Sequence, residues 1–315
     1  MENLVTSFEA VLPLFLCILL GMFLRRIGML EESVRQSLNK LCFKVFLPIY
    51  LFNNIYGIKD ISAAFDLRLI LFACIGLIAA FCVLMLVIPR VEKENSRRGV
   101  MIQAMFRSNF ALIGLPLAQS LGGDEALAFG AVISAFVQLS FNSLAVIALT
   151  SASSDERGQR LRKIGGQMIR NPMIIASLLG LAFNLLNIPL YTDLRKTIIN
   201  LGKVATPLSM VALGASFTFA STKVYRKQLL LGVSGKLIIS PLLMVTLGAL
   251  LGFRAETLVP ILIYFGAPTA VSSFPMAQQM DGDGELAASL VVFTSALSIV
   301  TIFLWVFVLK TLALI

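Results

Sequence analysis

The sequence predicts an all-α polytopic membrane protein: ten transmembrane helices built as a 5+5 inverted repeat, with the fourth and ninth helices broken. Three observations lead there. Hydrophobic residues fill 58% of the 315 positions and charged ones only 14%, against roughly 45–50% and 25% in soluble domains. The apolar residues gather into ten stretches of spanning length. The chain also matches itself when shifted by 159 positions.

A membrane helix needs about 20 mostly apolar residues. Windows of that kind cover 5–24, 38–57, 67–88, 100–121 and 125–150 in the first half, and 169–188, 196–217, 228–252, 257–280 and 285–311 in the second. This divides the chain into a first repeat (1–150), a polar linker loop (151–168) and a second repeat (169–315). No space is left for a soluble domain. Glu2 and Glu9 near the start replace the positive region of a cleaved signal, so the first helix is expected to stay.

Lysine and arginine set the orientation. Sixteen of the 26 fall on one side: at 25–40, at 90–98, in the central loop up to Arg170, and at 223–227. Six fall on the other side (Lys59, Arg68, Arg195, Lys196, Arg254, Lys310) and four lie within helices. The rich side is expected to be cytoplasmic, which places both termini outside a multi-pass protein of the cytoplasmic membrane. The net charge of +9 is thus read as topology rather than nucleic-acid binding, and no basic–aromatic patch argues otherwise.

The repeat is carried by residues that shape the backbone. Pro13 falls on Pro172, Pro48 on Pro207 and Pro116 on Pro275; Gly21 falls on Gly180 and Gly76 on Gly235. LPLAQSLGGDEALAFGAV lies on FPMAQQMDGDGELAASLV without a gap. Each copy holds an odd number of spans, so the second must enter from the opposite face. Inverted repeats of this kind are a signature of secondary transporters.

The fourth helix carries Asn109, Gly114 and Pro116 in mid-span; the ninth carries Gly266, Pro268, Ser272, Ser273 and Pro275. Proline removes one backbone donor and clashes with the carbonyl four residues back. In lipid the freed groups need protein, water or ligand as partners, so paired breaks with polar neighbours point to a cavity. Half-helix N-termini there attract anions.

The charges sharpen the function class. Arg107, Lys44, Lys203 and Lys236 lie within helices, whereas no Asp or Glu reaches the middle of one. Arg107 either meets a carboxylate or snorkels to the interface. Lys44 and Lys203 are repeat mates one turn before a proline, placed to compensate carbonyls freed by a kink, to draw in anions or to stand in for sodium. Lys236 is read as an ion-pairing or snorkelling residue. An interior with only positive charge favours an anionic substrate over a metal cation. Coupling to Na⁺ or H⁺ stays open, with Gln119, Gln138, Asn142 and Gln278 as oxygen donors for sodium. There is no histidine, and the four cysteines form no CxxC pair, so His-based metal sites, triads and a metal centre are not expected. No nucleophile-plus-base set suggests an enzyme, and no cofactor is called for. A carrier is the leading reading; an anion channel or a membrane solute sensor is the alternative.

FRSNFALIGLPLAQ (106–119), GAPTAVSSFPMAQQM (266–280), GDGELAASLVVFTS (282–295) and LCFKVFLPIYLF (41–52) resemble the auxin efflux carrier family. The resemblance spans the whole chain in one order, and the short central loop is similar to that of the bacterial branch. It implies the fold of bile acid–sodium symporters and sodium/proton antiporters. Helices 1, 2, 6 and 7 would form a scaffold, through which a homodimer can form. Helices 3–5 and 8–10 would form a transport domain whose helices 4 and 9 cross near Pro116 and Pro275. The site would hold a small organic anion, malate-, malonate- or auxin-like. Asn109 is the main contact, joined by Arg107, Pro116, Pro268, Thr269, Ser272, Ser273 and Pro275, with Lys44, Lys203, Gln119 and Gln278 as ion-site or charge-compensating residues.

Overall fold

The computed structural model describes residues 2–58, 66–151 and 157–315. Among them every regular element is helical. In order these are α1 (Glu2–Arg26), α2 (Glu32–Leu41), α3 (Leu47–Tyr56), α4 (Leu67–Val91), α5 (Asn95–Phe106) and α6 (Leu115–Ser151). Next come α7 (Arg157–Arg170), α8 (Pro172–Leu185), α9 (Thr192–Ser216), α10 (Phe219–Val224) and α11 (Arg226–Ser234). The chain closes with α12 (Ser240–Leu250), α13 (Ala255–Gly266), α14 (Ser273–Gln279) and α15 (Gly284–Thr311).

Among the described residues four helices are long and apolar enough to cross a membrane: α4, α9, the α11–α12 run and α15. The number rises to six when two bent pairs, within α6 and across α7–α8, each count as one span. Leucines and isoleucines stand exposed along α1, α4, α8 and α12. That is the pattern of a surface solvated by acyl chains rather than water.

Among the described residues three single π turns interrupt the helices: Cys42–Phe46, Phe110–Gly114 and Gly235–Ile239. Each ends two residues before a proline (Pro48, Pro116, Pro241). The proline ring would strike the carbonyl four residues back, and that carbonyl belongs to the third residue of each π turn. Widening the turn there relieves the clash without ending the helix. Pro207, inside α9, has no π turn before it.

Glycines decide the closest helix pair. α1 packs along α9, and α3 along α8, more extensively than any other pairs. A Cβ at Gly21 would collide with the Val211 carbonyl, and one at Gly214 with the Ile18 carbonyl. Gly180, the repeat mate of Gly21, stands against the Phe52 carbonyl, 2.9 Å from where its Cβ would be. The other helices pack as α13 along α6 and α12, α4 along α5 and α6, and α15 along α11 and α14, with α15 also lying along α1. The turns after α1 and α8 also correspond. Gly28 and Asn187 share the 159 offset and both adopt positive φ, +79° and +49°, the left-handed stop that glycine and asparagine accept most readily.

The linker differs from the loop expected over 151–168. Residues 157–170 are helical as α7, since RGQRLRKIGGQMIR holds four Arg and two Gln beside Lys, Leu and Met, which favour helix. Asn171 then caps α8 by accepting from the Met173 and Ile174 amides, and Pro172 opens it. Positions 152–156 of the linker, and Lys59, lie outside the described residues.

A polar corner ties the ends of α5, α11 and α15 together. Asp283 caps α15 through the Leu286 amide at 3.0 Å and accepts from Arg97 Nε and the Tyr225 hydroxyl, each at 3.1 Å. Arg97 also lies over the Tyr225 ring, 5.0 Å from its centroid. Burial, with the hydrogen bond and charge of Asp283, pushes the Tyr225 phenol up to about 12. Burial alone would raise the neighbouring Glu92 carboxyl, but the Glu94 amide and the Gln228 side chain bind its charged form and hold it below the usual carboxylate range.

Candidate functional site

The site is built where two helices stop in mid-course. α5 ends at Phe106, and Arg107 turns extended (φ −86°, ψ 115°). α13 ends at Gly266, and Ala267 does the same (φ −64°, ψ 152°). At Ala267 the cause is local, because Pro268 excludes the helical conformation from the residue before it. The two extended pieces pair antiparallel across Ser108 and Thr269. The Asn109 amide donates to the Pro268 carbonyl at 2.8 Å, and the Ala270 amide to the Arg107 carbonyl at 3.2 Å.

The crossing therefore lies at Ser108/Thr269, not at Pro116 and Pro275 as expected. Those prolines sit in the first turns of α6 and α14, beyond the break. Pro275 is tolerated there because the missing N–H of a first turn has no helical partner, whereas Pro116 continues the helix begun by the π turn at Phe110, which takes up its clash.

Each break caps the helix of the other. The carbonyl of Tyr264 would normally accept from residue 268, which is proline and has no N–H. The Ser108 hydroxyl donates to it instead. Reciprocally, Thr269 Oγ1 donates to the Ala104 carbonyl in the last turn of α5, at 2.8 Å. The Thr269 amide is taken up by Thr294 Oγ1 at 3.2 Å. Thr269 is fully buried, so its role is a helix cap, and the substrate contact expected of it is not available in this conformation.

Beside the crossing lies a small cavity of about 30 Å³. One wall is the crossover (Arg107, Ser108, Asn109, Ala270, Ser272) with Gln138 of α6; the other is Leu47, Tyr50 and Leu51 of α3 with Thr206 of α9. Asn109 is 8% exposed, and its Nδ2 is buried without a partner. An unpaired buried amide costs about 1–3 kcal/mol, which a ligand acceptor would return.

Arg107 is 1% exposed. Its guanidinium donates to Asn142 Oδ1 at 2.6 Å and to Met276 Sδ at 3.1 Å. Asn142 continues to Ser177 Oγ on α8 at 3.3 Å. Arg107 is therefore held inside and does not snorkel. Lys236 is also fully buried and donates to the Ser108 hydroxyl. Among the described residues neither cation has a carboxylate in an ion pair.

The other expected residues scatter. Ser272 lines the cavity. Ser273 is buried with its hydroxyl unpartnered, and Pro268 and Pro275 are buried, but none of the three lines the cavity. Pro116 stands second in α6, and its side chain lies outside those described. Gln119 is exposed and bonded to Asp124 at 3.0 Å, which places it away from any central ion site. Lys44 and Lys203 are both exposed on the outer surface of α3's π turn and α9, so neither reaches the cavity. Gln278 accepts from Asn39 Nδ2. That bond lies at the edge of a wide vestibule of about 760 Å³ lined by Glu32, Gln36, Lys40, Asp283 and Glu285.

Sequence reasoning missed Tyr50 and Thr206, and the bonds Lys236–Ser108 and Asn39–Gln278. Tyr50 lies two residues after Pro48 and Thr206 directly before Pro207, the signal that could have marked them. The bonds join residues 128 and 239 positions apart, and no local pattern shows such pairs.

The model of a family described as membrane transport protein matches residues 6–163 and 150–306. An uncharacterized transporter of Methanothermobacter thermautotrophicus is 30% identical over 305 residues, 95% of this chain and 97% of the relative. Another, from Methanocaldococcus jannaschii, is 24% identical over 315 residues, covering 94% and 97%. Both are archaeal, and both align over nearly their full length, as expected of members with a short link between the halves. With a family model over nearly the whole chain and two transporters aligned end to end, this chain belongs to the membrane transport protein family, the group of the auxin efflux carriers.

Proposed function

We propose that the protein is a secondary transporter moving a small organic anion across the cytoplasmic membrane by alternating access around the Ser108/Thr269 crossover. The substrate class is a carboxylate of the malate, malonate or auxin type. The observation that carries this reading is the charge at the crossover: Arg107, buried on the wall of the cavity and unpaired by any described carboxylate. A cation inside a membrane helix costs at least about 2.5–3.5 kcal/mol, and an anion beside it offsets that. The Asn109 amide supplies a free donor at the cavity. The helix resuming at Phe110 presents its positive dipole end to the same place.

On this reading the chain threads the bilayer ten times, in two inverted halves, with both termini outside. α1, α2–α3, α8 and α9 form the scaffold, and the remaining helices form the moving unit. The α1–α9 and α3–α8 pairings, the most extensive in the protein, support the scaffold, which meets the other group mainly through α1 on α15 and α8 on α6. The cavity lies on the seam between them. Sliding one group on the other would open Asn109 to either side, and the Glu32–Glu285 vestibule is the cytoplasmic entrance. A cavity of about 30 Å³ holds no more than one or two waters, which favours a carrier over a channel.

Counterflow in proteoliposomes tests this. Vesicles preloaded with malate, malonate or indole acetate should accelerate uptake of the labelled anion. Folded protein that binds but does not move any of a broad carboxylate panel would make it a sensor and end the carrier reading.

A further inference from the structure

Two helix C-termini converge on Ser108. α5 ends at Phe106 and α13 at Gly266, on either side of the bridge. Helix C-termini carry partial negative charge, and in transporters with broken helices such ends hold the coupling cation. Here the Tyr264 carbonyl, orphaned by Pro268, accepts from Ser108, and the Ser108 hydroxyl in turn accepts from the Lys236 ammonium. Lys236 is 0% exposed. It reaches this point from a π turn whose first residue, Gly235, packs against the Met105 side chain of α5. The repeat mate of Lys236 is Leu77, which is 1% exposed. The fold thus accommodates an apolar side chain at the equivalent place, and the charge in the second half has another reason to exist.

We infer that Lys236 is a built-in cation, its ammonium standing where a coupling sodium ion would sit, so that anion transport needs no bound metal ion. The tether compensates the two helix ends permanently, through Ser108, while the anion binds on the opposite, N-terminal side of the break at Asn109. The site stays electrically complete when empty. The flux consequence rests on the carrier reading above; the binding consequence does not.

The experiment has two arms on purified, full-length protein. In detergent, thermal unfolding is followed in sodium chloride and in choline chloride at equal ionic strength. The wild type should unfold at the same temperature in both. Lys236→Met, with the site vacated, should gain roughly 3 °C or more in sodium. Lys236→Arg, which keeps the charge, should stay indifferent. In proteoliposomes, wild-type counterflow of labelled malate or malonate should be equal in sodium and choline, and Lys236→Met should lose it in choline.

Sodium stabilisation of the wild type, or a Lys236→Met protein as blind to sodium as the wild type, would overturn the inference even if no anion is transported. A folded wild type that moves no anion, with the unfolding arm as expected, would instead remove the carrier reading and leave the cation site standing.

Discussion

Asn109→Ala is expected to lose most of the counterflow of the wild type while unfolding at nearly the same temperature. The Asn109 Nδ2 has no partner in the empty protein and lines the cavity, so its removal breaks nothing that holds the fold. The backbone bond from the Asn109 amide to the Pro268 carbonyl does not depend on the side chain. A hydrogen bond to a charged group contributes about 1.5–3 kcal/mol, roughly a 10- to 150-fold loss of affinity for a carboxylate. Asn109→Asp should be worse, because it places a second carboxylate against the first. Flux, together with the unfolding temperature, checks both variants. Wild-type flux in Asn109→Ala would remove the residue from the site.

Gly21→Leu acts at the other extreme, on the fold. The α1–α9 contact is made backbone to backbone, with the Val211 carbonyl in the space a side chain would need. Overpacking a flexible neighbour costs about 1–3 kcal/mol. Here the obstacle is main chain, so the helices must separate and the packing along α1 and α9 is lost. The expected result is little or no monodisperse protein after extraction. Gly165→Leu, where nothing lies within 4 Å of the added Cβ, should extract like the wild type. Equal yields of the two variants would contradict the close crossing.

What the sequence made legible was the backbone. The register of Gly21 on Gly180 reappears as two tight helix contacts, and Gly28 and Asn187 share a left-handed turn. Proline and glycine act through φ, sterics and a missing donor, all of which are local. The site was legible in part for the same reason. Asn109, Arg107 and Ser272 line the cavity because they flank breaks that Pro268 and its neighbours announce. Thr269, expected as a contact, caps α5 in this conformation, and its partner, the Ala104 carbonyl, is 165 positions away. Lys44 and Lys203 were drawn inward by their symmetry, whereas burial depends on which face of a helix meets the next. The position of the crossing shifted for a related reason. A proline marks the carbonyl that it disturbs, and the chain breaks where a cross-bridge can satisfy the released groups.

The central claim is that the two halves enter the bilayer in opposite senses. Ile27 and Leu186 are repeat mates, both exposed, each in the turn that follows its helix. Single cysteines at these positions, with Cys17, Cys42, Cys74 and Cys82 replaced, can be labelled on intact cells with a membrane-impermeant maleimide. The Leu186→Cys protein should react from outside, and the Ile27→Cys protein only after permeabilisation. Labelling of both from the same side would contradict the account.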